Sequence, residues 1–506
     1  METTLHALLA TADASTPALA APGRPPLTHG ALRRQTLATL AWLNGQGLAR
    51  GDRVAIVLPN GPEMAACFVA CASGVAAAPL NPAYRAEEFD FYLRDLRAKA
   101  LIVDAGSMSP AVEVARALGL RVVELHAGDA AGAFTLQADG ASPPAAAPAL
   151  AKADDVSMLL HTSGTTSRPK IVPLAQRNLA ASAQHIVRTL ALGPGDCGLN
   201  IMPLFHIHGL IAGVLAPLAA GSQVFCTPGF NALKFFAWMD EAHPTWYTAV
   251  PTMHQAILAR AAKNADVIAR HPLRFLRSSS SAIPPQVIAE LEQVFGAPLI
   301  ESYGMTEATH QMASNPLPPG LRKPGTVGVA AGPEVAIMGD DGGLLPRGSV
   351  GEIVIRGPNV TAGYEANDQA NAEAFVAGWF RTGDQGVLDA DGYLGITGRL
   401  KEIINRGGEK ISPREVDEIL MDHPAVAQVV CFGMPHAKLG EEVAAVVVLR
   451  EGATATEREL QQFVAGRAAD FKVPKKILFL DEIPKGATGK LQRIGLAARL
   501  GLGLGS

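Results

Sequence analysis

Short apolar runs alternate with longer alanine- and leucine-rich stretches along the first part of the chain. The runs at 54–58, 101–103 and 156–160 consist mainly of valine, isoleucine and leucine, which favours buried strands. The stretches at 62–73 and 110–118 have the composition and length of helices. Because strands alternate with helices, the pattern predicts an α/β architecture with largely parallel sheets.

The pattern changes after residue 344, where short strands and turns replace this alternation. The runs at 351–356 and 386–393 indicate a β-rich subdomain. Towards the C-terminus the pattern predicts a compact α+β module. Its predicted elements are a helix over 413–421, strands over 425–433 and 443–449, and a helix over 457–467. Residues 127–153 are rich in alanine, glycine, proline and aspartate, and are predicted to form a surface excursion.

Composition adds a domain count and excludes some partners. A chain of 506 residues with 48% hydrophobic content exceeds what one core organises, which predicts two or more domains. The net charge is −4 and no run of like charges occurs, which argues against nucleic acid or an anionic membrane as partner and favours small-molecule substrates. No run of about 18 apolar residues lacks charge or proline, so we expect no membrane span, no export and a cytoplasmic location. The five cysteines lack zinc-type spacing, which fits reduced thiols.

The candidate chemistry begins at 162–170, a segment with five hydroxyl side chains, one glycine and one lysine. Gly164 can adopt the positive φ that turns backbone N–H groups towards an anion. The P-loop of nucleoside triphosphatases is excluded, because Pro169 stands at its second glycine and Ile171 follows the lysine. The segment therefore predicts a phosphate-binding loop of another type.

Five further motifs follow this loop along the chain. They lie at 303–307, 382–384, 398–402, 405–411 and 484–490. Together with the loop they resemble the signature motifs of the adenylate-forming superfamily, which includes acyl-CoA synthetases, luciferases and the adenylation domains of peptide synthetases. The resemblance implies an N-terminal domain over 1–398, with two parallel-sheet layers and a β-rich subdomain. It also implies a hinge at 399–402 and a small mobile α+β C-terminal domain over 403–506.

The resemblance also implies a reaction. Members of the superfamily attack the α-phosphate of ATP with a carboxylate, release pyrophosphate and form an acyl-adenylate. Acyl-CoA synthetases then transfer the acyl group to a thiol, so ATP, Mg²⁺ and coenzyme A are the implied cofactors. Negative charge gathers on the phosphate oxygens in such a displacement, and placed cations and N–H donors supply most of the catalysis.

Site residues follow from the resemblance, motif by motif. Lys490 is implied as the adenylation lysine, Thr306 as a donor to the α-phosphate and Glu307 as the Mg²⁺ ligand. The implied nucleotide-binding residues are Thr162, Ser163, Gly164, Thr165, Thr166, Lys170, Ser281, Ala282, Glu301, Ser302, Tyr303 (adenine), Gly304, Met305, Thr306, Asp384 and Arg399 (ribose), and Lys490.

The C-terminal motifs imply the second half-reaction. No cysteine or serine of the chain sits in an activating motif, so the nucleophile is an external thiol. Gly407 and Gly408, followed by Lys410, correspond to the loop along which the pantetheine of coenzyme A lies. Lys401 corresponds to the hinge that lets Lys490 and this loop act in turn on one acyl carbon.

The acyl pocket is expected at three segments rich in histidine and serine, 202–209, 277–282 and 306–310. The candidate lining residues are His206, His208, Ser280 and His310, with His206 and His208 as alternatives for one contact. These donors suit a second carboxylate. A long alkyl chain would leave them buried and unpaired, at a cost of roughly 1–3 kcal/mol each.

The sequences of these segments are similar to those of the oxalate-CoA ligases. This similarity implies an enzyme that makes oxalyl-CoA from oxalate through an oxalyl-adenylate. A ligase for another short acid, such as malonate, would need a cationic arginine deep in the pocket. Arg168 and Arg277 are the candidates, but the sequence assigns the first to the phosphate loop and the second to a strand edge. A nucleotide-binding homologue without turnover is a third alternative, against which the intact Lys490, Glu307 and Asp384 argue.

Overall fold

The chain forms two compact units. The computed structural model describes residues 3–138, 146–162, 169–484 and 493–502. The larger unit comprises the described residues of 3–162, 170–335 and 355–372. The smaller unit takes in 336–354 and the described residues of 373–502.

Strands make up the frame of both units. They begin with β1 (Pro17–Ala21), β2 (Arg24–Thr28), β3 (Arg53–Val57), β4 (Ala76–Pro79), β5 (Ala100–Asp104), β6 (Arg121–Ala127), β7 (Phe134–Ala138), β8 (Val156–His161), β9 (Ile171–Ala175), β10 (Cys197–Asn200), β11 (Gln223–Cys226), β12 (Trp246–Ala249) and β13 (Phe275–Ser278). They continue with β14 (Leu299–Met305), β15 (His310–Ser314), β16 (Val329–Ala330), β17 (Glu334–Met338), β18 (Val350–Arg356), β19 (Phe375–Val376), β20 (Trp379–Leu388), β21 (Leu394–Arg399), β22 (Ile404–Arg406), β23 (Glu409–Ile411), β24 (Val426–His436), β25 (Gly440–Leu449) and β26 (Lys476–Phe479).

Helices connect and cover these strands. They are α1 (Leu5–Leu9), α2 (His29–Gly45), α3 (Pro62–Ala72), α4 (Ala86–Asp95), α5 (Pro110–Ala117), α6 (Gln176–Thr189), α7 (Ala216–Ala219), α8 (Phe235–Ala242), α9 (Pro251–Ala261), α10 (Ala265–Arg270), α11 (Pro285–Phe295), α12 (Asp368–Ala374), α13 (Pro413–Met421), α14 (Glu457–Ala465) and α15 (Leu496–Arg499). A π-helix, His208–Leu215, precedes α7. Short 3-10 turns include Thr306–Ala308 and Leu400–Glu402.

One sheet of the larger unit carries the candidate site. Its strand order is β16-β15-β14-β13-β12-β10-β11-β1-β2. The neighbours from β14 across to β1 are parallel, whereas β2, β15 and β16 pair antiparallel at the two sides. Parallel strands end at a common edge, and this edge is where ligands of open α/β sheets bind.

The second sheet of the larger unit has the order β7-β6-β5-β3-β4-β8-β9. Its inner pairs are parallel, and β7 and β9 pair antiparallel at the edges. The predicted α/β class with largely parallel sheets is therefore confirmed. The predicted strands at 54–58, 101–103 and 156–160 are also confirmed within one residue or two.

Apolar side chains from sheets and helices form the cores of the larger unit. Phe235, Tyr247 and Leu276 are fully buried in one of them, and Phe89 and Leu101 in another. Each such side chain contributes roughly 1.5–3 kcal/mol relative to exposure. This packing fixes the strands whose ends carry the site.

Local sequence sets the bounds of α11, the helix that follows the serine-rich segment. It begins at Pro285, whose fixed φ suits the first helical turn. It ends before Gly296, which adopts the left-handed conformation (φ +62°) that favours glycine. Residues 279–284 are thereby held as a short loop between β13 and a fixed helix.

The smaller unit contains a sheet of order β23-β22-β25-β24, with β26 parallel to β25. Helices α13 and α14 bury Val416, Leu420, Leu460 and Val464. The predicted C-terminal α+β module is confirmed by these elements. A further sheet, β17-β18-β20-β19 with β21 on β20, matches the predicted β-rich texture after residue 344.

The prediction for 127–153 is wrong in part. Strand β7 lies inside this stretch and pairs antiparallel with β6, with Thr135 opposite His126. Only Phe134 of β7 is buried, so the strand has too little apolar periodicity to be found from its sequence. Within the described residues, none of the helices has the length and apolar character that crossing a bilayer requires.

Candidate active site

The site in the larger unit is built where neighbouring parallel strands end. Thr248 of β12 stands in register opposite Arg277 of β13. Strand β14 ends at Met305, directly before Thr306 and Glu307. The common strand edge therefore gathers polar residues from distant parts of the chain.

Arg277 lies at the centre of a polar cluster. Its side chain is fully buried, because β13 is an interior strand between β12 and β14. The assignment of Arg277 to a strand edge was therefore wrong, since one strand's place within a sheet cannot be read from that strand alone. The guanidinium donates from Nη1 to His208 Nε2 (3.3 Å) and from Nη2 to His310 Nε2 (3.1 Å). Burial lowers the pKa of Arg277 to about 9.

The other contacts of Arg277 are neutral as well. Nη1 donates to Thr248 Oγ1 and Nη2 to Gln311 Oε1, both at 3.3 Å. Nε is buried without a hydrogen-bond partner. Among the described residues, none of the ion pairs of the chain includes Arg277. A cation with only neutral neighbours is costly to bury, and such groups are otherwise found paired with an anion.

Two histidines stack against each other beside this guanidinium. The rings of His208 and His310 have centroids 4.8 Å apart at an angle of 17°, and both residues are buried. His208 Nδ1 lies 3.1 Å from Ser280 Oγ, and His208 Nε2 lies 2.7 Å from Thr248 Oγ1. Three of the four candidates for the acyl pocket thus come together in the structure.

His206 lies in a different setting. It is half-buried, and its ring contacts that of Phe205, with centroids 4.6 Å apart. The π-helix begins at His208, two residues later. Such irregular helical turns often occur at functional sites, and this one turns the His208 ring into the cluster. The hydrogen bonds to Ser280 and Arg277 therefore belong to His208.

The backbone around the cluster is strained. Ser280, Thr309 and His310 have φ values of +72°, +49° and +91°. Non-glycine residues in this region are uncommon and gather at functional sites. Gly304 is required opposite them, because a Cβ there would lie 1.8 Å from the carbonyl oxygen of His310. The strained loop and the glycine of the 303–307 motif thus form one packed unit.

Glu307 is held beside the cluster by a residue that the sequence did not indicate. The hydroxyl of Tyr364 donates to Glu307 Oε1 at 2.8 Å. The ammonium group of Lys170 lies 4.3 Å from the centre of the Tyr364 ring, within cation–π distance. Tyr364 therefore connects the lysine of the phosphate-loop motif with the predicted metal ligand.

The carboxylate of Glu307 fits a Mg²⁺ ion in part. Among the described residues, no group of three His, Cys, Asp or Glu side chains could hold a metal. Mg²⁺ is commonly held by one or two carboxylates, substrate phosphates and waters, so a single buried carboxylate is sufficient on the protein side. Tyr364 fixes one oxygen of that carboxylate and thereby orients the other.

Of the predicted phosphate loop, the two ends lie within the described residues. The N–H of Thr162 donates to the carbonyl of Lys170 at 2.9 Å, which brings the two ends of the segment together. The predicted residues Ser163, Gly164, Thr165 and Thr166 lie outside the described residues, as does Lys490.

The remaining nucleotide candidates of the larger unit lie on or beside β14. Glu301 and Ser302 are buried, and the Ser302 hydroxyl donates to the carbonyl of Ser278 at 3.3 Å. Ser281 and Ala282 are exposed, directly after the loop residue of the cluster. The half-buried residues of the motif are Tyr303, Gly304, Met305 and Thr306.

The ribose candidates of the smaller unit form an ion pair. Asp384 of β20 is buried, and its Oδ1 lies 3.0 Å from Nε of Arg399, the cross-strand partner on β21. Gly383 adopts a positive φ of +73°, and its N–H donates to Glu352 Oε1 at 2.9 Å. This local turn aims the Asp384 carboxylate towards Arg399.

The coenzyme A candidates form a hairpin in the smaller unit. Strands β22 and β23 are joined by Gly407 (φ +60°) and Gly408 (φ +101°), as a tight two-residue turn requires. The N–H of Gly408 donates to Asn405 Oδ1 at 3.2 Å. Lys410 and Lys401 are exposed, the latter in the 3-10 turn Leu400–Glu402.

Four residues of these sites were not predicted in the roles that the contacts give them: Thr248, Arg277, Gln311 and Tyr364. Each is buried or nearly so and lies outside a recognisable motif, except Arg277. A sequence signal exists for Arg277 alone, since an arginine inside an apolar strand needs a partner.

Comparison with known proteins identifies the family of the chain. The family model of the AMP-binding enzymes matches residues 10–365, and that of the AMP-binding enzyme C-terminal domain matches 415–490. The chain is 46% identical over 484 residues to the oxalate-CoA ligase of Arabidopsis thaliana, with 94% of each chain covered. It is 43% identical over 472 residues to the oxalate-CoA ligase of Saccharomyces cerevisiae, covering 88% of this chain and 86% of the relative. A sulfoacetate-CoA ligase of Cupriavidus necator is 38% identical over 478 residues, covering 93% and 92%.

A solved structure supports the fold over the whole chain. The ATP-bound crystal structure of MatB from Rhodopseudomonas palustris superposes with a TM-score of 0.88 at 30% identity, covering 99% of both chains. The two-part family match, the relatives and the full-length structural likeness agree. The chain therefore belongs to the AMP-binding enzyme family.

Proposed function

We propose that the chain is an ATP-dependent, AMP-forming acid-CoA ligase that makes oxalyl-CoA from oxalate. The observation that carries the choice of acid is the cluster of the buried Arg277, His208 and His310 with the half-buried Ser280, in which every side chain is polar. Family membership and the two oxalate-CoA ligases among the relatives support the same reaction. ATP, Mg²⁺ and coenzyme A are its cofactors.

The cluster suits a small, charged acid. An alkyl chain would replace water at His208, His310 and Ser280 without a hydrogen-bond acceptor, which costs about 1–3 kcal/mol for each group left unpaired. A carboxylate instead offers four lone-pair sites to the same donors. Oxalate, with one carboxylate to react and one to bind, fits these demands in the smallest volume.

The reaction has two steps, in which different groups of the chain act. In the first, a carboxylate oxygen of oxalate bonds to the α-phosphorus of ATP and pyrophosphate leaves. In the second, the sulfur of coenzyme A bonds to the acyl carbon and AMP leaves. We assign Thr306 to the α-phosphate, Glu307 to Mg²⁺, and Asp384 with Arg399 to the ribose. Mg²⁺ would neutralise charge that develops on the phosphate oxygens.

The assignment of Glu307 rests on its burial and on the hydrogen bond from Tyr364. We assign the carboxylate of Glu307 to the metal, with Oε1 held by the hydroxyl of Tyr364. Lys170, next to the Tyr364 ring, supplies a positive charge at the end of the phosphate-loop segment. Lys170, together with a Mg²⁺ ion that Glu307 would hold, would balance part of the negative charge of the leaving pyrophosphate.

The smaller unit is proposed to serve both steps. Lys490 is assigned to adenylation, and the Gly407–Gly408 hairpin, with Lys410, to coenzyme A. Because both act on one acyl carbon, we propose that the C-terminal domain over 403–506 turns about Lys401 in the hinge 399–402 between the steps, relative to the domain over 1–398. The exposure of Lys401 and the positive φ values of the glycines support these roles.

A ligase for another short diacid is the second candidate. Malonate requires a cationic arginine deep in the pocket, and Arg277 is such a residue. The two candidates share the second negative charge and differ by one methylene. A hydrophobic or steric difference of that size separates substrates by about 10–200-fold, so relative kcat/KM values for oxalate and malonate decide between them.

The test follows the two half-reactions separately. With wild-type protein, ATP, Mg²⁺, coenzyme A and oxalate should yield AMP, pyrophosphate and oxalyl-CoA in equal amounts. Lys490→Ala should abolish pyrophosphate release, because the adenylation cation is lost, yet still convert pre-made oxalyl-adenylate to oxalyl-CoA. Lys485→Ala, a lysine of the same motif without an assigned role, is the control and should retain both steps. Equal loss of both half-reactions in Lys490→Ala would contradict the division of labour.

A further inference from the structure

The guanidinium of Arg277 determines how both histidines of the cluster carry their protons. Arginine has only donors, so each nitrogen that it contacts must be an acceptor. The contacted atoms are Nε2 of His208 and Nε2 of His310. Each neutral ring must therefore carry its proton on Nδ1. In His208 that proton faces Ser280, whose Oγ is 3.1 Å away.

Thr248 completes this arrangement. Its Oγ1 accepts from Arg277 Nη1 and lies 2.7 Å from Nε2 of His208, so the hydroxyl proton points to the imidazole. On the other side, the carbonyl of Arg277 lies 3.1 Å from Nε2 of His254, and Nδ1 of His254 lies 3.0 Å from the hydroxyl of Tyr247. The position of Arg277 is thus fixed from both its backbone and its side chain.

Among the residues that the structure describes, no anion pairs with the charge of Arg277. All its hydrogen-bond partners are neutral, and Nε has none. Its side chain is fully buried, so solvent does not screen the charge. An anion bound to the histidine pair, on the side away from Arg277, would be attracted by the positive charge of the guanidinium. That charge would also polarise the two imidazoles that lie between them. A neutral ligand would leave this charge uncompensated.

We infer that Arg277 is a positioning residue that fixes His208 and His310 as Nδ1–H donors and sets a positive charge behind them, so that the pocket selects an acid with a second anionic group. The inference rests on the proposed function and names the feature of the acid that is recognised. The class includes carboxylates and sulfonates on a one- or two-carbon acid. Arg277 acts through the histidines and Ser280, since its own side chain is enclosed.

A purely architectural role makes a different prediction. If Arg277 only tied β13 to its neighbours, its replacement would lower turnover of every acid alike. If Arg277 supplies a positive charge and sets the tautomers of the two histidines, its replacement changes the ratio of kcat/KM values between acids that differ in charge alone. Oxamate tests this difference, because its amide replaces one carboxylate of oxalate by a neutral group of nearly the same size.

The experiment measures kcat/KM for oxalate and for oxamate by pyrophosphate release. Wild-type protein should prefer oxalate by roughly 100-fold or more, the effect of an uncompensated buried charge. In Arg277→Gln the preference should fall to about tenfold or less, while KM for ATP stays within about threefold. Arg277→Lys, which keeps the charge but not the fork of donors, should retain part of the preference.

Arg274→Gln is the matched control. Arg274 lies three residues earlier, is partly exposed and pairs with Asp196. Its replacement should leave the oxalate-to-oxamate ratio unchanged. If Arg277→Gln keeps the wild-type ratio, or if Arg274→Gln lowers it equally, the inference is wrong.

Two further measurements are made on the wild-type protein itself. An oxalate-to-oxamate ratio near one would overturn the inference by itself. Nitrogen-15 spectra of histidine-labelled protein should show Nε2 of His208 and His310 unprotonated, with signals assigned from His208→Gln and His310→Gln. A protonated Nε2 on either neutral ring would also overturn it. Failure of the proposed function is separate: wild-type protein would then activate a different acid, and that acid would be compared with its own amide.

Discussion

Two arginines of this chain, Arg277 and Arg399, differ in the charge of their partners. Arg277, in the larger unit, is fully buried, and its hydrogen-bond partners among the described residues are neutral. Arg399, in the smaller unit, is 54% exposed in its side chain and pairs with the buried carboxylate of Asp384. The charge of Arg277 can be compensated by an anionic ligand, whereas that of Arg399 is already compensated by Asp384. The comparison teaches that a buried cation indicates an anionic ligand only where the protein itself provides no anion.

The physical reason lies in the surroundings of each group. Water screens an exposed ion pair, which is worth about 0–1 kcal/mol. A buried charge without a partner destabilises the fold by several times that amount. Burial lowers the pKa of Arg277 to about 9, in the direction expected for a cation removed from water. We therefore expect Arg277 to matter for the acid and little for stability, and Arg399 to matter moderately for the nucleotide.

The largest effect is expected from the replacement of Arg277. Arg277→Met removes the charge and keeps an unbranched apolar side chain. Turnover of oxalate should fall by roughly 100-fold or more, while the thermal midpoint of unfolding stays the same or rises, because an apolar replacement of a buried ion is often neutral or stabilising. Differential scanning calorimetry and pyrophosphate release measure the two. A fall of the midpoint by more than about 5 °C, which corresponds to several kcal/mol in a unit of this size, would show that Arg277 serves the fold.

The next largest effect is expected from the replacement of Asp384, the carboxylate that pairs with Arg399. Asp384→Ala removes the carboxylate proposed to accept two ribose hydroxyls. KM for ATP should rise by about 10–100-fold, as expected for the loss of hydrogen bonds to a charged group. KM for oxalate should change little. Initial rates at varied ATP and fixed oxalate give the values, and an equal rise in both constants would argue against a ribose site.

A smaller effect is expected from one histidine of the buried cluster. His310→Ala removes a ring that stacks on His208 and accepts from Arg277. KM for oxalate should rise about tenfold, the effect of one net hydrogen bond, and KM for ATP should stay within about twofold. His206→Ala, which removes the other candidate histidine of the same segment, is the comparison in adenylation assays. Unchanged oxalate KM in His310→Ala would remove His310 from the acyl site.

The smallest effect should come from Arg399 itself. Arg399→Ala deletes the exposed partner of Asp384 and should raise KM for ATP by about fivefold or less. High salt should reduce the difference from wild type, because exposed pairs are screened. Isothermal titration with ATP at two salt concentrations measures both. A salt-independent loss of two orders of magnitude would place Arg399 with the buried ions instead.

Sequence predicted much of this molecule, for identifiable reasons. Strands such as β3 and β5 are continuous apolar runs between turn residues, and α13 follows a serine and begins at a proline, so composition alone indicates them. Strand β7 was missed because it is an edge strand with one buried side chain. Local pattern carries no information about which strands become neighbours.

The site shows the same limit at the level of single residues. Motifs indicated His310, Glu307 and Asp384, because their chemistry lies in short recognisable segments. The sequence left His206 and His208 as alternatives, and the contacts of His208 with Ser280 and Arg277 become visible only in the structure. Tyr364 lies 57 residues beyond Glu307, and only the fold brings them together.

The most direct test of the account is a competition among acids in one reaction. Wild-type protein is supplied with ATP, Mg²⁺, coenzyme A and equal concentrations of oxalate, malonate, acetate, butyrate and hexanoate, and the thioesters are quantified by mass spectrometry beside the nucleotides. The account predicts that oxalyl-CoA predominates and that one AMP forms for each thioester. Formation of ADP, or an excess of butyryl-CoA or hexanoyl-CoA over oxalyl-CoA, would contradict it.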